Sequence, residues 1–254
     1  MYYPVNKFPD EFLISVGRGI ACHVGTNGGQ IISGDAGERI ISEALGVPYV
    51  KKLSLEDIRN GGCGWSVKVR YVDDPATVDM VALKLTTRFP KEQTINLSPD
   101  QIGAIYLAVW SDLVAQTKVH FSDLRTIILL NEKNHRSFSL FEYETYTWNH
   151  EDFIWKWSVD EKTIHGISRN DGYWQFSIHL NDSRLFVRER IGDRQTCLLQ
   201  HSGIISTDKL AEFIGFSPAH VTKLPQKISR EHVVVENYIF PESPCLYQPV
   251  RIQP

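Results

Sequence analysis

The chain has 254 residues, 42% of them hydrophobic and 22% charged, enough to bury a large core as one elaborated domain or as a domain with a small appendage. A formal net charge of -3 argues against a surface given over wholly to nucleic acid, while leaving room for a local basic groove. No stretch approaches the apolar length that crosses a bilayer, and the polar start Met1–Asp10 has no signal pattern, so the expectation is a cytoplasmic protein with no membrane partner.

Gly25-Thr26-Asn27-Gly28-Gly29-Gln30 lacks the lysine and the following helix of a phosphate loop, and reads as a hairpin or a flexible approach loop. Neither a strand-linked G-x-G-x-x-G nor a G-x-S-x-G elbow is present, so no nucleotide cofactor is expected. Gly34–Gly46 reads as a helix: Asp35 is the expected N-cap, Ile40, Ile41, Ala44 and Leu45 its apolar face, and Gly46 its C′ residue.

The next segment, Asp57-Ile-Arg-Asn-Gly-Gly-Cys-Gly-Trp-Ser-Val-Lys68-Val-Arg-Tyr, predicts a β-hairpin. Asn60–Gly64 has the turn chemistry to reverse the chain, and Trp65–Tyr71 alternates like a strand. Ser66, Lys68 and Arg70 then share one face, with Trp65, Val67 and Val69 on the other.

A long helix is expected near Asp100–Ala115, then strands at Leu124–Asn131 and Phe138–Tyr146, then an aromatic antiparallel segment from Trp155 to Arg190. Asn170-Asp171-Gly172 reads as the turn between strands near Lys162–Ser168 and Tyr173–Leu180, and most of the rings from Phe138 to Phe186 read as core or dimer interface. Ser183–Arg190 alternates so that Arg184, Phe186, Arg188 and Arg190 share a face suited to phosphates or bases; the plainer reading is a solvated outer face. Thr207–Leu224 has the layout of a helix-turn-helix, with Gly215 at the turn, Ser217 capping the second helix, and His220, Thr222 and Lys223 offered to a major groove. The tail Ile239–Pro254 is expected to be an extended arm.

Cys22, Cys63, Cys197 and Cys245 form no C-x-x-C pair and are expected to be reduced thiols rather than a zinc ribbon. His179, His201 and His220 lack an H-x-x-x-H partner and read as surface or hydrogen-bonding groups.

The Gly-Glu helix, the hairpin with Asp57 on one arm and Ser66-Val67-Lys68 on the other, and the helix and strands that follow resemble the PD-(D/E)xK nuclease superfamily, in particular type II restriction endonucleases. In that superfamily an aspartate on one strand is followed by an acid-x-Lys triplet on the next, and some members carry Ser-Val-Lys. The resemblance covers about residues 15–190 and implies a restriction-endonuclease-like α/β fold: a mixed sheet flanked by helices, with an antiparallel extension over residues 1–195 and a small helical unit over 196–254. It also implies Mg²⁺-dependent, sequence-specific cleavage of double-stranded DNA by a homodimer. Asp57 and Glu38 would be the metal ligands, Lys68 would orient the attacking water, and Ser66 would occupy the vacated acid position. Asp79, Glu92 and Glu142 are the alternatives for a displaced ligand. A non-catalytic DNA-binding regulator with a decayed nuclease core is the main rival, favoured by the missing acid at Ser66, and a nuclease acting on RNA or damaged DNA is the second.

Overall fold

The computed structural model describes residues 3–26, 32–49, 55–75, 77–85, 96–132 and 137–191, together with three later strands. It is a mixed α/β arrangement of three helices, α1 (Asp10–Thr26), α2 (Gly34–Ala44) and α3 (Pro99–Lys118), and two five-stranded sheets. The first sheet takes β1 (Ile58–Asn60), β2 (Cys63–Val72), β4 (Asp123–Glu132), β5 (Ser137–Glu144) and β10 (Cys197–Gln200), in the order β1-β2-β4-β5-β10. The second takes β3 (Met80–Lys84), β6 (Phe153–Trp157), β7 (Thr163–Ser168), β8 (Trp174–His179) and β9 (Arg184–Arg190), in the order β3-β9-β8-β7-β6.

β2 and β4 run parallel, and the connection between them carries α3, as a parallel pair requires. Central β4 is buried from Leu124 through Asn131, which is why Ile127-Ile128-Leu129-Leu130 reads as an unbroken apolar run instead of alternating. Its side chains divide between two cores. Ile127 and Leu129 join Trp65 and Val67 under α1 and α2; Ile128 and Leu130 face α3 and the inner side of the second sheet.

The helices follow local rules. Ser98 caps α3 in a reciprocal capping box with Gln101, and Pro99 sits at the first helical position. The N-cap of α2 lies two residues before the expected one, Asp35. Ser33, extended at φ -66 and ψ 168, accepts the Ala36 N–H, and Asp35 lies in the first turn where its charge complements the dipole. Gly46 ends the turn after α2 at φ +73, as its C′ role requires.

Two further sequence expectations are corrected. Gly25 and Thr26, expected in a loop, end α1; residues 27–31 lie outside the described residues. Val221–Lys223, expected in the second helix of a helix-turn-helix, is instead strand β11, paired antiparallel with β12 (Val233–Val235). That places Thr222 and Lys223 on a strand, whereas His220, His201 and the remainder of Thr207–Leu224 lie outside the described residues. Cys197–Gln200, as β10, pairs antiparallel with β5 at the edge of the first sheet.

Among the described residues no helix is long and apolar enough to cross a membrane.

Candidate functional site

The site forms just before β1 begins. Only Ile58, Arg59 and Asn60 pair with β2, against Trp65, Gly64 and Cys63. Beyond them the ladder is continued by Asp57: its N–H donates to the Trp65 carbonyl at 2.7 Å and its Oδ2 accepts the Val67 N–H at 2.7 Å. A carboxylate therefore stands in a place that a strand residue would fill, its orientation fixed by backbone geometry. The same Oδ2 accepts Ser66 Oγ at 3.3 Å; Ser66 Oγ in turn accepts Lys68 Nζ at 2.7 Å, leaving Nζ 3.9 Å from Asp57. Ser66 and Lys68 meet because strand positions two apart share a face.

Glu38 arrives from α2. The helix packs closely on β2 at Gly37, where an added Cβ would lie 2.3 Å from Val69 Cγ2. Any larger residue there would hold the next residue, Glu38, away from the strand. Glu38 Oε2 accepts Tyr49 Oη at 3.2 Å. The two remaining oxygens, Glu38 Oε1 and Asp57 Oδ1, accept no hydrogen bond from the described residues.

Burial dominates the electrostatics of the cluster. Burial pushes Glu38 above the usual carboxylate range, and the charge of Asp57 pushes it further, against the opposing effects of the Tyr49 hydroxyl and Lys68. Asp57 is also raised, chiefly by burial, with Lys68, the Val67 N–H and Ser66 pulling it back. Lys68 is nearly buried and lowered by desolvation, against the pull of Asp57 and Glu38. Among the described residues no three His, Cys, Asp or Glu side chains gather closely enough to enclose a metal by themselves. Glu38 and Asp57 offer carboxylate oxygens alone, a donor chemistry that suits Mg²⁺, which keeps several waters, better than it suits zinc.

Of the four expected centre residues, Asp57, Ser66 and Lys68 are joined by hydrogen bonds and an ion pair, while Glu38, on α2, bonds to Tyr49 and feels the charges of Asp57 and Lys68. The alternatives for a displaced acid are not. Glu142 sits among the residues packed beneath α1 and α2, accepting Trp65 Nε1 at 2.8 Å, Arg125 Nη1 at 3.2 Å and the Asn6 N–H at 3.0 Å; it anchors the N-terminal segment instead of a metal. Asp79 is exposed just before β3, with its carbonyl accepting the Ile191 N–H, and Glu92 lies outside the described residues.

Sequence reasoning missed Tyr49, which reaches Glu38 only because of the turn after α2. It also missed Thr126, which the parallel register sets beside Ser66 and whose hydroxyl pairs with Thr145 at 2.8 Å. With Tyr143, Tyr146 and Lys68 these hydroxyls line a small pocket beside the cluster.

On β9, Arg184, Phe186 and Arg188 are half-buried and Arg190 is exposed, while Leu185, Val187 and Glu189 are buried beneath them. The alternation expected for that strand is therefore present. Trp148, Phe153, Trp155 and Phe176 pack in or against the core, whereas Trp174 lies against His165 and Arg188, and Phe186 against His179, on the outer face.

Comparison with known protein families, curated proteins and solved structures finds no match to this chain.

Proposed function

We propose that the chain is a Mg²⁺-dependent endonuclease hydrolysing phosphodiester bonds of double-stranded DNA, of the PD-(D/E)xK type and resembling type II restriction endonucleases in its site specificity and homodimeric assembly. The observation that carries this reading is the bonded chain Asp57, Ser66, Lys68 at β2, with Glu38 of α2 near enough to feel the charges of Asp57 and Lys68. The local order of helix, hairpin, crossover helix and parallel strand supports a restriction-endonuclease-like sheet.

Glu38 Oε1 and Asp57 Oδ1 are the oxygens that would hold Mg²⁺. When bound, the ion supplies charge neutralisation at the scissile phosphate and a lower pKa for the attacking water. Ser66 holds Lys68 Nζ beside Asp57 without adding a third negative charge. Lys68 carries its proton toward the phosphate, where it orients the water and offsets the charge that grows during attack. Hydrolysis adds the water oxygen to phosphorus and releases the other ester oxygen as a hydroxyl; by the resemblance, the ends are a 5′-phosphate and a 3′-hydroxyl.

A second reading, a DNA-binding regulator with a silent nuclease core, is favoured by one feature: Lys68 bonds to Ser66 where the superfamily pattern has an acid. Phage DNA incubated with the full chain and Mg²⁺ separates the two. Discrete fragments with 5′-phosphate ends, lost on Asp57→Asn, support the enzyme. A gel shift with intact DNA supports the regulator. Fragments with random ends would retain the chemistry but remove site specificity.

A further inference from the structure

The outer face of the second sheet carries charge that the catalytic cluster does not use. Strand register aligns Lys156, His165, Ser177, Phe186 and Lys84 in one row across all five strands. Adjacent rows add Arg184 opposite His179, Arg188 opposite Ala82, and Arg190 opposite Met80. None of the outward positions on these strands is a carboxylate. The acid of β9, Glu189, points inward, 1% exposed, and accepts the Tyr146 hydroxyl at 2.9 Å. Asp171, in the turn between β7 and β8, pairs with Arg190 at 2.7 Å. A chain with net charge -3 therefore places Lys84, Lys156, Arg184, Arg188 and Arg190 together on one surface.

Flat groups lie between those charges. The Arg188 guanidinium is 3.3 Å from the centroid of the Trp174 ring, which also lies 4.0 Å from the His165 ring. Arg190 lies 3.7 Å over Tyr173, and the Phe186 and His179 rings are 4.7 Å apart. The β-bulge between Gly166 and Ile167 shifts the register at Trp174, so its ring joins this face. Rings and guanidinium planes interleaved with cationic heads suit unpaired nucleobases and the phosphates that link them. A duplex hides its base faces and would use the charges alone.

We propose that the outer face of the β3-β9-β8-β7-β6 sheet is a binding platform for single-stranded nucleic acid. It adjoins the catalytic strand: Arg70, two residues beyond Lys68 on β2, donates from Nε to the Ala82 carbonyl of β3 at 2.8 Å. Where the cleavage reading also holds, the preferred substrate is duplex DNA with an unpaired flank lying on this face. Binding itself needs neither the metal nor the cluster.

The test is fluorescence anisotropy on the full chain in a chelator, with labelled oligothymidylate of about thirty nucleotides against a duplex of equal length. The single strand binds more tightly than the duplex, and affinity falls as salt rises. Trp174→Ala and Arg188→Ala each weaken it about tenfold, in line with the loss of one stacked base. Lys84→Glu, at an exposed position, also weakens binding, while Lys118→Ala at the end of α3 leaves it unchanged. Equal or tighter duplex binding overturns the proposal. So does absent binding, and so does single-strand binding that Lys84→Glu and Arg188→Ala leave intact. Loss of cleavage with oligothymidylate binding retained counts against the nuclease reading alone.

Discussion

In the proposed nuclease, Lys68 is the residue whose state would most constrain the chemistry. Desolvation lowers its pKa, so its proton is lost at a lower pH than from an exposed lysine. Mg²⁺-dependent cleavage should therefore fall on the alkaline side of its optimum. Lys68→Arg, which keeps its charge, should lose that limb while retaining some activity in a pH–rate profile; Lys68→Ala should cost about 10²-fold or more. The carboxylates act in the opposite sense. Glu38 and Asp57 are raised, so the metal-free fold holds their protons more tightly than the unfolded chain does. Their contribution to stability is complete below the ordinary carboxylate pKa and is lost as pH rises through the raised values. Asp57→Asn should flatten that decline in thermal melts of the metal-free protein. Mg²⁺ should raise the melting temperature more at about pH 8 than at about pH 5.5, since it binds the ionised forms. Tyr49→Phe removes a hydrogen bond that favours ionised Glu38, so it should weaken metal binding and shift the activity profile to higher pH.

At the scale of elements, α2 and the hairpin position the cluster, and both were legible because short-range chemistry specifies them. Asn60-Gly61-Gly62 makes the turn, Trp65–Tyr71 alternates, and Ile40, Ile41 and Ala44 mark the buried side of α2. Gly37→Ala tests how closely the two are joined. The new methyl meets Val69, so equilibrium denaturation should show a loss of about 1–3 kcal/mol, and cleavage should fall as Glu38 is displaced. What stayed hidden depended on partners distant in sequence. α1 buries Phe12, Val16 and Ile20, four residues apart, but Gly17 and Gly19 within that span depress its helix signal. β3 is five residues long and pairs with β9 about a hundred positions later, which no local pattern announces. Val221–Lys223 carries residues compatible with a helix end, yet pairing with three consecutive valines decides for a strand.

Across the whole molecule, the N-terminal segment is tied to the central sheet by buried charge. Arg125 donates to Asp123 through Nε at 2.8 Å, to the Tyr3 carbonyl at 2.8 Å and to Glu142 at 3.2 Å. Burial raises Glu142 while Arg125, Trp65 and the Asn6 N–H oppose that rise. Glu142→Ala would leave Arg125 without one of its two carboxylates and should cost about 3–5 kcal/mol in denaturant titration, unlike a metal-ligand change. That outcome would also mark Glu142 as structural, a role its strand position alone could not distinguish from metal binding.

The nuclease reading meets its most direct test in one assay: supercoiled plasmid incubated with the full chain at about pH 8, with Mg²⁺ or with a chelator, for the wild type, Asp57→Asn and Lys68→Ala. Mg²⁺-dependent conversion to cut forms by the wild type, abolished by the chelator and by either substitution, is the predicted result. Intact plasmid at every Mg²⁺ concentration, or cutting that survives both substitutions, would contradict it.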